Sequence, residues 1–252
     1  MTTYPKSGTT WMQQIVRGLR TSGDMDFDEI GEVVPHLEAA LDLGLELDPD
    51  HRRWGGSPRA FKTHFAAHEA PRGGRTIVVV RDPADVLVSF HRFFEGWMFE
   101  PGTIDLDTFA LEFFCHGTRS GRYWDHVAGW LGRRDDPDVM VVSFEALKRD
   151  LRAVVARVAA FIDAPASAVD VATRQAQLAF MRAHERQFDD HLLREARDAI
   201  CGLPPGRTSK LGAGRIGDGV RALSPGVRAR FDELWREHFA TFVDYAALEA
   251  SL

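Results

Sequence analysis

Two runs of consecutive apolar residues interrupt the otherwise mixed pattern of hydrophobic and polar positions. The first is Thr76–Val80 and the second, longer run is Val139–Glu145. Runs without alternation are typical of strands buried on both faces of a parallel sheet. Helical spacing follows each run, and this order of strand and then helix predicts an α/β fold. We expect a central parallel sheet flanked by helices.

Apolar residues at helical spacing predict the remaining elements. The predicted helices are Met12–Arg20, a short one near His36–Leu43, one from Pro83 through Phe93, Leu106–Trp130 with a break near Gly117–Gly121, Leu147–Ile162 and Val227–Phe242. Asp82 before Pro83, and Ser224 before Pro225, read as N-caps with proline at the first helical position. Residues 59–64 predict a short strand. The length suits one domain over residues 1–252.

A polar, glycine-containing stretch, Thr3–Trp11, comes directly before the first predicted helix. Pro5 and Gly8 bracket a tight turn, and the helix N-terminus beyond it supplies backbone N–H donors and the positive end of a dipole. With the Lys6 ammonium, this predicts a loop that binds phosphate or sulfate. An ordinary capped helix start is the alternative. The string G-x-x-x-x-G-K-[ST] of nucleoside-triphosphate loops is not present.

Loops of this kind follow the carboxyl end of a central strand. Here only Met1, Thr2 and Thr3 precede the loop. At ~3.3 Å per residue they form barely a strand. We therefore expect the first strand to be truncated.

Charged residues stand at the ends of two other predicted strands. The run 76–80 ends in Arg81, where a P-loop kinase or ATPase would carry an Asp that helps to hold magnesium. Ser89 lies about two turns into the next helix. In 59–64, alternation puts Lys62 and His64 on one face, so they can share a site. The alternatives are an Arg81–Asp85 ion pair and a surface or core histidine.

Three of these segments resemble the sulfotransferases that use 3′-phosphoadenosine 5′-phosphosulfate (PAPS). Tyr4–Trp11 resembles their 5′-phosphosulfate-binding loop at eight consecutive positions. The string Arg-Asp-Pro-x-Asp-Val-x-Val-Ser-Phe from Arg81 resembles their 3′-phosphate motif, in which the Arg and the Ser bind the phosphate. Lys62-Thr63-His64 resembles the segment that carries a catalytic His base and an assisting Lys. The resemblance implies a P-loop-kinase-like sulfotransferase fold.

Weaker similarities extend toward the C-terminus. Phe144 matches an aromatic residue beside the adenine, and residues 178–182 resemble a segment that contacts the adenosine, with departures at Gln177 and Leu178. Tyr123–Val127 resembles a segment near the acceptor pocket, although an aromatic stripe is more often core.

The glycine-dense stretch from Lys210 to Gly219 resembles the C-terminal cofactor loop in its G-x-x-G-D core, which begins at Gly214. The family's basic pair and Trp are replaced here by Gly212, Ala213 and Gly219. Lys210 and Arg215 therefore remain to reach the 3′-phosphate. We expect a cofactor affinity below that of the family.

The resemblance implies transfer of a sulfuryl group from PAPS to a hydroxyl or amine of a small-molecule or lipid acceptor. His64 would act as general base, Lys6 would neutralise the leaving 5′-phosphate, and Lys62 would brace the sulfuryl group. The phosphates would be held by Ser7, Gly8, Thr9, Thr10 and Trp11 at the 5′ end and by Arg81 and Ser89 at the 3′ end. No metal is expected in this scheme.

Composition narrows the class further. A net charge of −6 over 252 residues argues against a nucleic-acid partner. Cys115 and Cys201 show no zinc spacing and are too few for a disulfide framework, which suits the cytoplasm. Apolar runs fall short of the roughly 18 residues that a membrane-spanning helix needs, so no integral membrane contact is expected.

Two other functions remain open from the sequence. A P-loop-type phosphotransferase would share the loop that follows a strand, although Arg81 and the position of Lys6 disfavour it. A catalytically impaired nucleotide-binding relative would arise if the short first strand and the changes at Gly212 and Ala213 disable the site.

Overall fold

The computed structural model describes residues 1–42, 47, 59–202, 209–212 and 215–252. In chain order its strands and α-helices are β1 (Thr2–Thr3), α1 (Thr9–Thr21), α2 (Ile30–Val33), α3 (Leu37–Asp42), β2 (Thr76–Val80), α4 (Pro83–Trp97), α5 (Leu106–Thr108), α6 (Tyr123–Leu131), β3 (Val139–Ser143), α7 (Phe144–Arg149), α8 (Leu151–Phe161), α9 (Val169–Gln175), α10 (Leu178–Ala183), α11 (His191–Cys201), α12 (Asp218–Ala222), α13 (Pro225–His238) and α14 (Tyr245–Glu249). Short 3₁₀ segments cover Ala166–Ala168 and Glu185–Phe188, and Phe109–Phe114 form a π-helical segment.

The strands form a parallel sheet in the order β1-β2-β3. Thr2 lies opposite Val78, and Val78 lies opposite Val141. The residues of β1 and β3 are buried throughout, as are those of β2 after Thr76. The predicted parallel sheet of an α/β fold is confirmed. β1 contains two residues.

The chain divides into two compact units, each assembled from separate segments. The sheet unit consists of Thr2–Gly8, His64–Arg149 and Arg215–Leu252. The helical unit consists of Met1, Thr9–Thr63 and Asp150–Gly214.

The core of the sheet unit is rich in aromatic side chains. Tyr4, Phe114, Tyr123 and Trp124 are buried, and their rings meet mainly edge to face. Aromatic pairs in this arrangement stabilise a core beyond the area that they bury. Tyr4 therefore anchors the residues that follow β1.

The helical unit is held together by close packing of α1 on α9. A Cβ built on Gly18 would lie 3.1 Å from the Cα and Cβ atoms of Ala172, so the two helices approach at a position without a side chain. A second buried cluster joins Ile30, Val33 and Val34 to Met181 and Phe188.

The capping predictions are confirmed. Asp82 accepts hydrogen bonds from the N–H groups of Ala84 (2.8 Å) and Asp85 (3.3 Å) at the start of α4. Ser224 accepts one from Val227 (3.3 Å) at the start of α13. These interactions lie within four residues of chain, which is why the sequence predicts them.

Several element predictions are wrong in part. Residues 59–64 are not a regular strand: Lys62 forms an isolated parallel bridge with His36. The second apolar run ends its strand at Ser143, because the Ser143 hydroxyl accepts the N–H of Ala146 (2.9 Å) and starts α7. The helix predicted over 147–162 is interrupted at Asp150, whose carboxylate accepts the N–H of Ala153 (3.0 Å) and starts α8.

The helical segment predicted over 106–130 breaks as expected near Gly117–Gly121. Its first part differs in kind, since Phe109–Phe114 are π-helical. Among the described residues, no helix combines the length and apolarity needed to cross a bilayer.

Candidate functional site

A tight turn follows β1 in the sheet unit. The N–H of Ser7 donates to the carbonyl of Tyr4 (3.2 Å), and both Lys6 (φ 70°) and Gly8 (φ 109°) are left-handed. A Cβ on Gly8 would lie 3.1 Å from Cδ2 of Phe144, so glycine allows the turn to approach this ring closely. The predicted turn is present, and Thr9 begins α1 immediately after it along the chain.

Arg81 lies against this turn from the end of β2. Its Nη1 donates to the carbonyl of Lys6 (3.2 Å), and its guanidinium lies 4.3 Å from the ring centroid of Phe144. Only 7% of the residue is exposed. Cation–π contact with an aromatic face helps to hold a desolvated guanidinium in one orientation. The structure therefore brings together four of the predicted site residues, Lys6, Gly8, Arg81 and Phe144.

Two buried polar atoms of this cluster have no hydrogen-bond partner among the described residues: Oγ of Ser7 and Nε of Arg81. A buried donor without a partner costs free energy, and functional sites are where such atoms persist. Burial lowers the pKa of Arg81, while the carboxylates of Asp85 and Glu145 raise it. A guanidinium keeps its proton at neutral pH, so the cluster presents positive charge and unused donors to an anion.

A second layer of hydrogen bonds fixes the backbone at the end of β2. The hydroxyl of Tyr123 donates to the carbonyl of Arg81 (2.6 Å). Glu145 accepts the N–H of Asp82 (3.3 Å) and the hydroxyl of Tyr245 (2.6 Å). Burial raises the pKa of Glu145, and its bond to Tyr245 opposes that rise. We name the contacts of Glu145 with Asp82 and Tyr245 the Glu145 brace.

Sequence reasoning missed this brace. It also missed the role of Tyr123: the sequence predicts this residue in the core or near the acceptor pocket, and the structure buries it in the core with its hydroxyl donating to the Arg81 carbonyl. The available signal was Glu145 itself, a carboxylate at the end of a run that predicts a buried strand.

Lys6 lies close to the helix α4, which carries the half-buried Ser89. The ammonium of Lys6 lies 4.0 Å from the ring centroid of Phe93, which is one turn beyond Ser89 on the same helix. Residues four apart share a helix face. The face of α4 that carries Ser89 is thus the face that Lys6 approaches.

His64 is oriented by the strand before the turn. Its Nδ1 lies 2.8 Å from the carbonyl oxygen of Thr3. A carbonyl can only accept, so Nδ1 carries the proton and Nε2 is the basic nitrogen of the neutral ring. This is the tautomer that a general base needs if Nε2 faces its substrate.

Predicted site residues of the helical unit, Trp11 and Lys62 among them, bond to residues within that unit. Trp11 follows Thr9 and Thr10 in the first turn of α1. Its Nε1 donates a hydrogen bond to the carbonyl of Ala176 (2.7 Å). Lys62 is buried, and its ammonium lies 3.8 Å from Oδ2 of Asp190. Burial lowers the pKa of Lys62.

The ammonium of Lys210 pairs with the same Oδ2 atom of Asp190. Asp190, which joins the two lysines, was not among the predicted residues. In the C-terminal loop, Arg215 is exposed, while Gly214 and Ala213 lie outside the described residues.

The fold and the cluster define an α/β protein with a tight turn after β1 and a buried arginine after β2, at the carboxyl ends of two parallel strands. The sequence model of the family described as "Sulfotransferase domain" matches residues 1–243. The chain belongs to this family. The prediction that the protein is a PAPS-dependent sulfotransferase is confirmed.

Individual relatives agree with this assignment. The chain is similar to an amine sulfotransferase of Oryctolagus cuniculus, with 29% identity over 251 residues that cover 95% of this chain and 80% of the relative. It is 32% identical over 179 residues to cytosolic sulfotransferase 5 of Arabidopsis thaliana, covering 64% of this chain and 55% of the relative.

A solved structure shows the same fold at low identity. Retinol dehydratase, in complex with androsterone and the inactive cofactor PAP, superimposes with a TM-score of 0.72 and 18% identity. The match covers 94% of this chain and 79% of retinol dehydratase.

Proposed function

We propose that this protein transfers a sulfuryl group from PAPS to a hydroxyl or amine of a small-molecule or lipid acceptor, with His64 as general base. The observation that carries the proposal is the pair of buried, unused donors: Ser7 Oγ, in the turn that contains Lys6, and Arg81 Nε, next to the Phe144 ring. Sulfuryl transfer needs positive charge where the leaving phosphate gains negative charge, and this cluster supplies it.

The residues present fit the donor nucleotide. Arg81 Nε and Ser7 Oγ can hydrogen-bond to phosphate oxygens, and Phe144 keeps its predicted place beside the adenine. Lys6 would hold the 5′-phosphate, and Arg81 with Ser89 the 3′-phosphate. Thr9, Thr10 and Trp11, which continue the turn along the chain, stay predicted contacts of the 5′-phosphate. PAPS supplies the sulfuryl group in this scheme.

His64 would remove the proton of the acceptor. Its Nδ1–H is held by the Thr3 carbonyl, so the ring keeps Nε2 as the proton acceptor. General-base help of this kind contributes roughly 10² to 10⁴ in rate. Lys62, Lys210, Gly214 and Arg215 keep their predicted roles toward the sulfuryl group and the 3′-phosphate.

The acceptor is a small organic molecule in this proposal. One relative is named for an amine acceptor, and the similar retinol dehydratase structure contains androsterone. A neutral imidazole base serves both a hydroxyl and an amine, so His64 suits either acceptor. We place the reaction in the cytoplasm, as one relative is named a cytosolic sulfotransferase.

Calorimetric titration with PAP, the desulfated product, tests the proposal. PAP should bind more tightly than AMP or ATP, because only PAP carries a 3′-phosphate. Lys6→Ala and Arg81→Ala should each weaken PAP binding about tenfold or more, since each removes a charge-assisted contact. Lys148→Ala, which removes an exposed lysine of α7, is the matched control and should bind as the wild type does.

The alternatives predict different titrations. A P-loop-type phosphotransferase would prefer ATP and transfer its γ-phosphate. An impaired nucleotide-binding relative would bind PAP tightly and transfer no sulfuryl group to any of a broad set of phenols, alcohols and amines. Failure of a folded wild-type protein to bind PAP would overturn the proposed donor.

A further inference from the structure

A buried carboxylate of α4 holds the C-terminal loop of the sheet unit. Asp85 is 2% exposed. Its Oδ1 accepts the N–H of Gly219 (2.7 Å) and its Oδ2 accepts the N–H of Gly217 (3.0 Å). Both carboxylate oxygens are thus used by backbone donors that lie 134 and 132 positions away in sequence.

The two glycines are required by the geometry of this contact. A Cβ on Gly219 would lie 2.1 Å from the carbonyl carbon of Ala84 and 2.3 Å from the N atom of Asp85. Distances this short exclude any side chain unless the backbone moves. Gly217 is left-handed at φ 79°, which favours glycine. The residue expected at 219 from the family resemblance is Trp, so this chain replaces a large side chain by direct contact between α12 and the first turn of α4.

Asp85 places a negative charge near Arg81, in a site proposed to bind phosphate. A carboxylate near Arg81 repels a phosphate, although it also raises the pKa of Arg81. Its two N–H donors spread that charge, because a carboxylate that accepts backbone hydrogen bonds is stabilised by them. The contact therefore ties the C-terminal loop to α4 through backbone donors.

We propose that Asp85 is a positioning residue for the donor nucleotide, one that fixes the turn Gly217–Gly219 and thereby holds Arg215 where it can bind the 3′-phosphate. The inference rests on the proposed function. Gly212 and Ala213 replace the basic pair expected here, and Lys210 pairs with Asp190, so the placement of Arg215 matters more. Arg215 precedes the clamped turn by two residues, which limits how far its backbone can move.

A double-mutant cycle between Asp85 and Arg215 tests the inference. Asp85→Asn keeps the shape but turns an N–H donor toward one of the glycine N–H groups. We expect Asp85→Asn and Arg215→Ala each to weaken PAP binding about tenfold and to leave AMP binding within about twofold, because AMP lacks the 3′-phosphate. The double variant should be no weaker than Arg215→Ala alone, since Asp85 acts through that arginine.

Kinetics separate positioning from general damage. The KM for PAPS should rise about tenfold in Asp85→Asn while kcat stays within about threefold. Asp136→Asn is the matched control: it removes an exposed carboxylate of the sheet unit whose partner is Arg133 (2.8 Å), away from the C-terminal loop, and PAP binding should not change.

Hydrogen exchange of the wild type gives a second readout that needs no variant. The amides of Gly217 and Gly219 should be protected before any nucleotide is added, because Asp85 already accepts both. Fast exchange at both amides would overturn the clamp. So would an additive cycle, or equal losses of PAP and AMP binding in Asp85→Asn. Absence of PAP binding to the wild type would instead overturn the proposed function, so the two failures are distinguishable.

Discussion

A single hydrogen bond sets the tautomer of His64. The Thr3 carbonyl at the end of β1 accepts a hydrogen bond from Nδ1–H, so the basic lone pair of the neutral ring is on Nε2. The same stretch of chain then continues into the turn that carries Lys6. The proposed base and the proposed cation are therefore held by neighbouring parts of one backbone segment, which favours a fixed geometry between them.

Replacement of His64 tests its role as the base. His64→Asn can still donate a hydrogen bond to the Thr3 carbonyl but has no basic nitrogen. We expect turnover to fall by about 10² to 10⁴, with PAP affinity unchanged. The measurements are kcat with an acceptor that the wild-type enzyme sulfates, and calorimetric titration with PAP.

The exposed His68 supplies the control for this variant. His68→Ala should leave both quantities at wild-type values, since it lies four residues away on the surface. Turnover retained within threefold in His64→Asn would remove the residue from its proposed role.

At the scale of elements, the end of β2 is held from two directions. Tyr123 of α6 bonds the carbonyl of Arg81, and the Glu145 brace bonds the N–H of Asp82. Arg81 thus lies between two buried contacts that fix its backbone. This explains how a guanidinium can point at the turn after β1 despite the free-energy cost of its burial.

Loss of the Tyr245 hydroxyl should destabilise the protein in a pH-dependent way. Tyr245→Phe removes a bond that favours the ionised form of Glu145, so the pKa of Glu145 in the folded state rises further above its ordinary value of 4.5. When a carboxyl group has a higher pKa in the folded than in the unfolded state, the free energy of unfolding falls as the pH rises through the folded-state pKa. The deficit should be about 1–3 kcal/mol at pH 7.5 and smaller at pH 4.5, measured by urea unfolding.

Tyr123→Phe provides the matched comparison. It removes a buried hydroxyl whose partner is a neutral carbonyl, so its deficit of about 1 kcal/mol should change little between the two pH values. Equal pH slopes for the two variants would contradict the role given to the Glu145 brace.

At the scale of the whole molecule, the sheet unit gathers the predicted residues from distant stretches of chain. The turn after β1, the segment from His64 to Phe144, and the loop from Arg215 all belong to it. Parallel strands place their carboxyl ends at one edge of the sheet, so the residues after β1 and β2 meet there. Lys62 and Lys210 belong to the helical unit, where Asp190 pairs with both.

The proposed use of side-chain charge in place of a metal ion predicts how turnover responds to a chelator. In the proposed mechanism Lys6 and Arg81 supply the positive charge that a magnesium ion supplies in P-loop kinases, so sulfuryl transfer should be unchanged in excess EDTA. The check is turnover with and without EDTA, with a magnesium-dependent kinase in the same buffer to show that chelation is complete. Activity lost to EDTA and restored by magnesium would favour the phosphotransferase alternative.

The sequence by itself determined those features that depend on a few neighbouring residues. The buried strands β2 and β3, the caps at Asp82 and Ser224, and the turn around Lys6 and Gly8 could all be predicted. Each rests on side-chain periodicity or on a hydrogen bond that spans two to four residues, and such signals are present in any short window of chain.

Only the tertiary structure decided which polar groups meet. Tyr245 and Glu145 lie 100 positions apart, Asp85 and Gly219 lie 134 apart, and Lys62 was predicted without its partner Asp190. Periodicity shows that a side chain is buried but not what it faces, since that depends on how distant segments pack. Long-range hydrogen bonds and ion pairs of this protein therefore follow from the fold, and they fix the residues that the sequence had already marked.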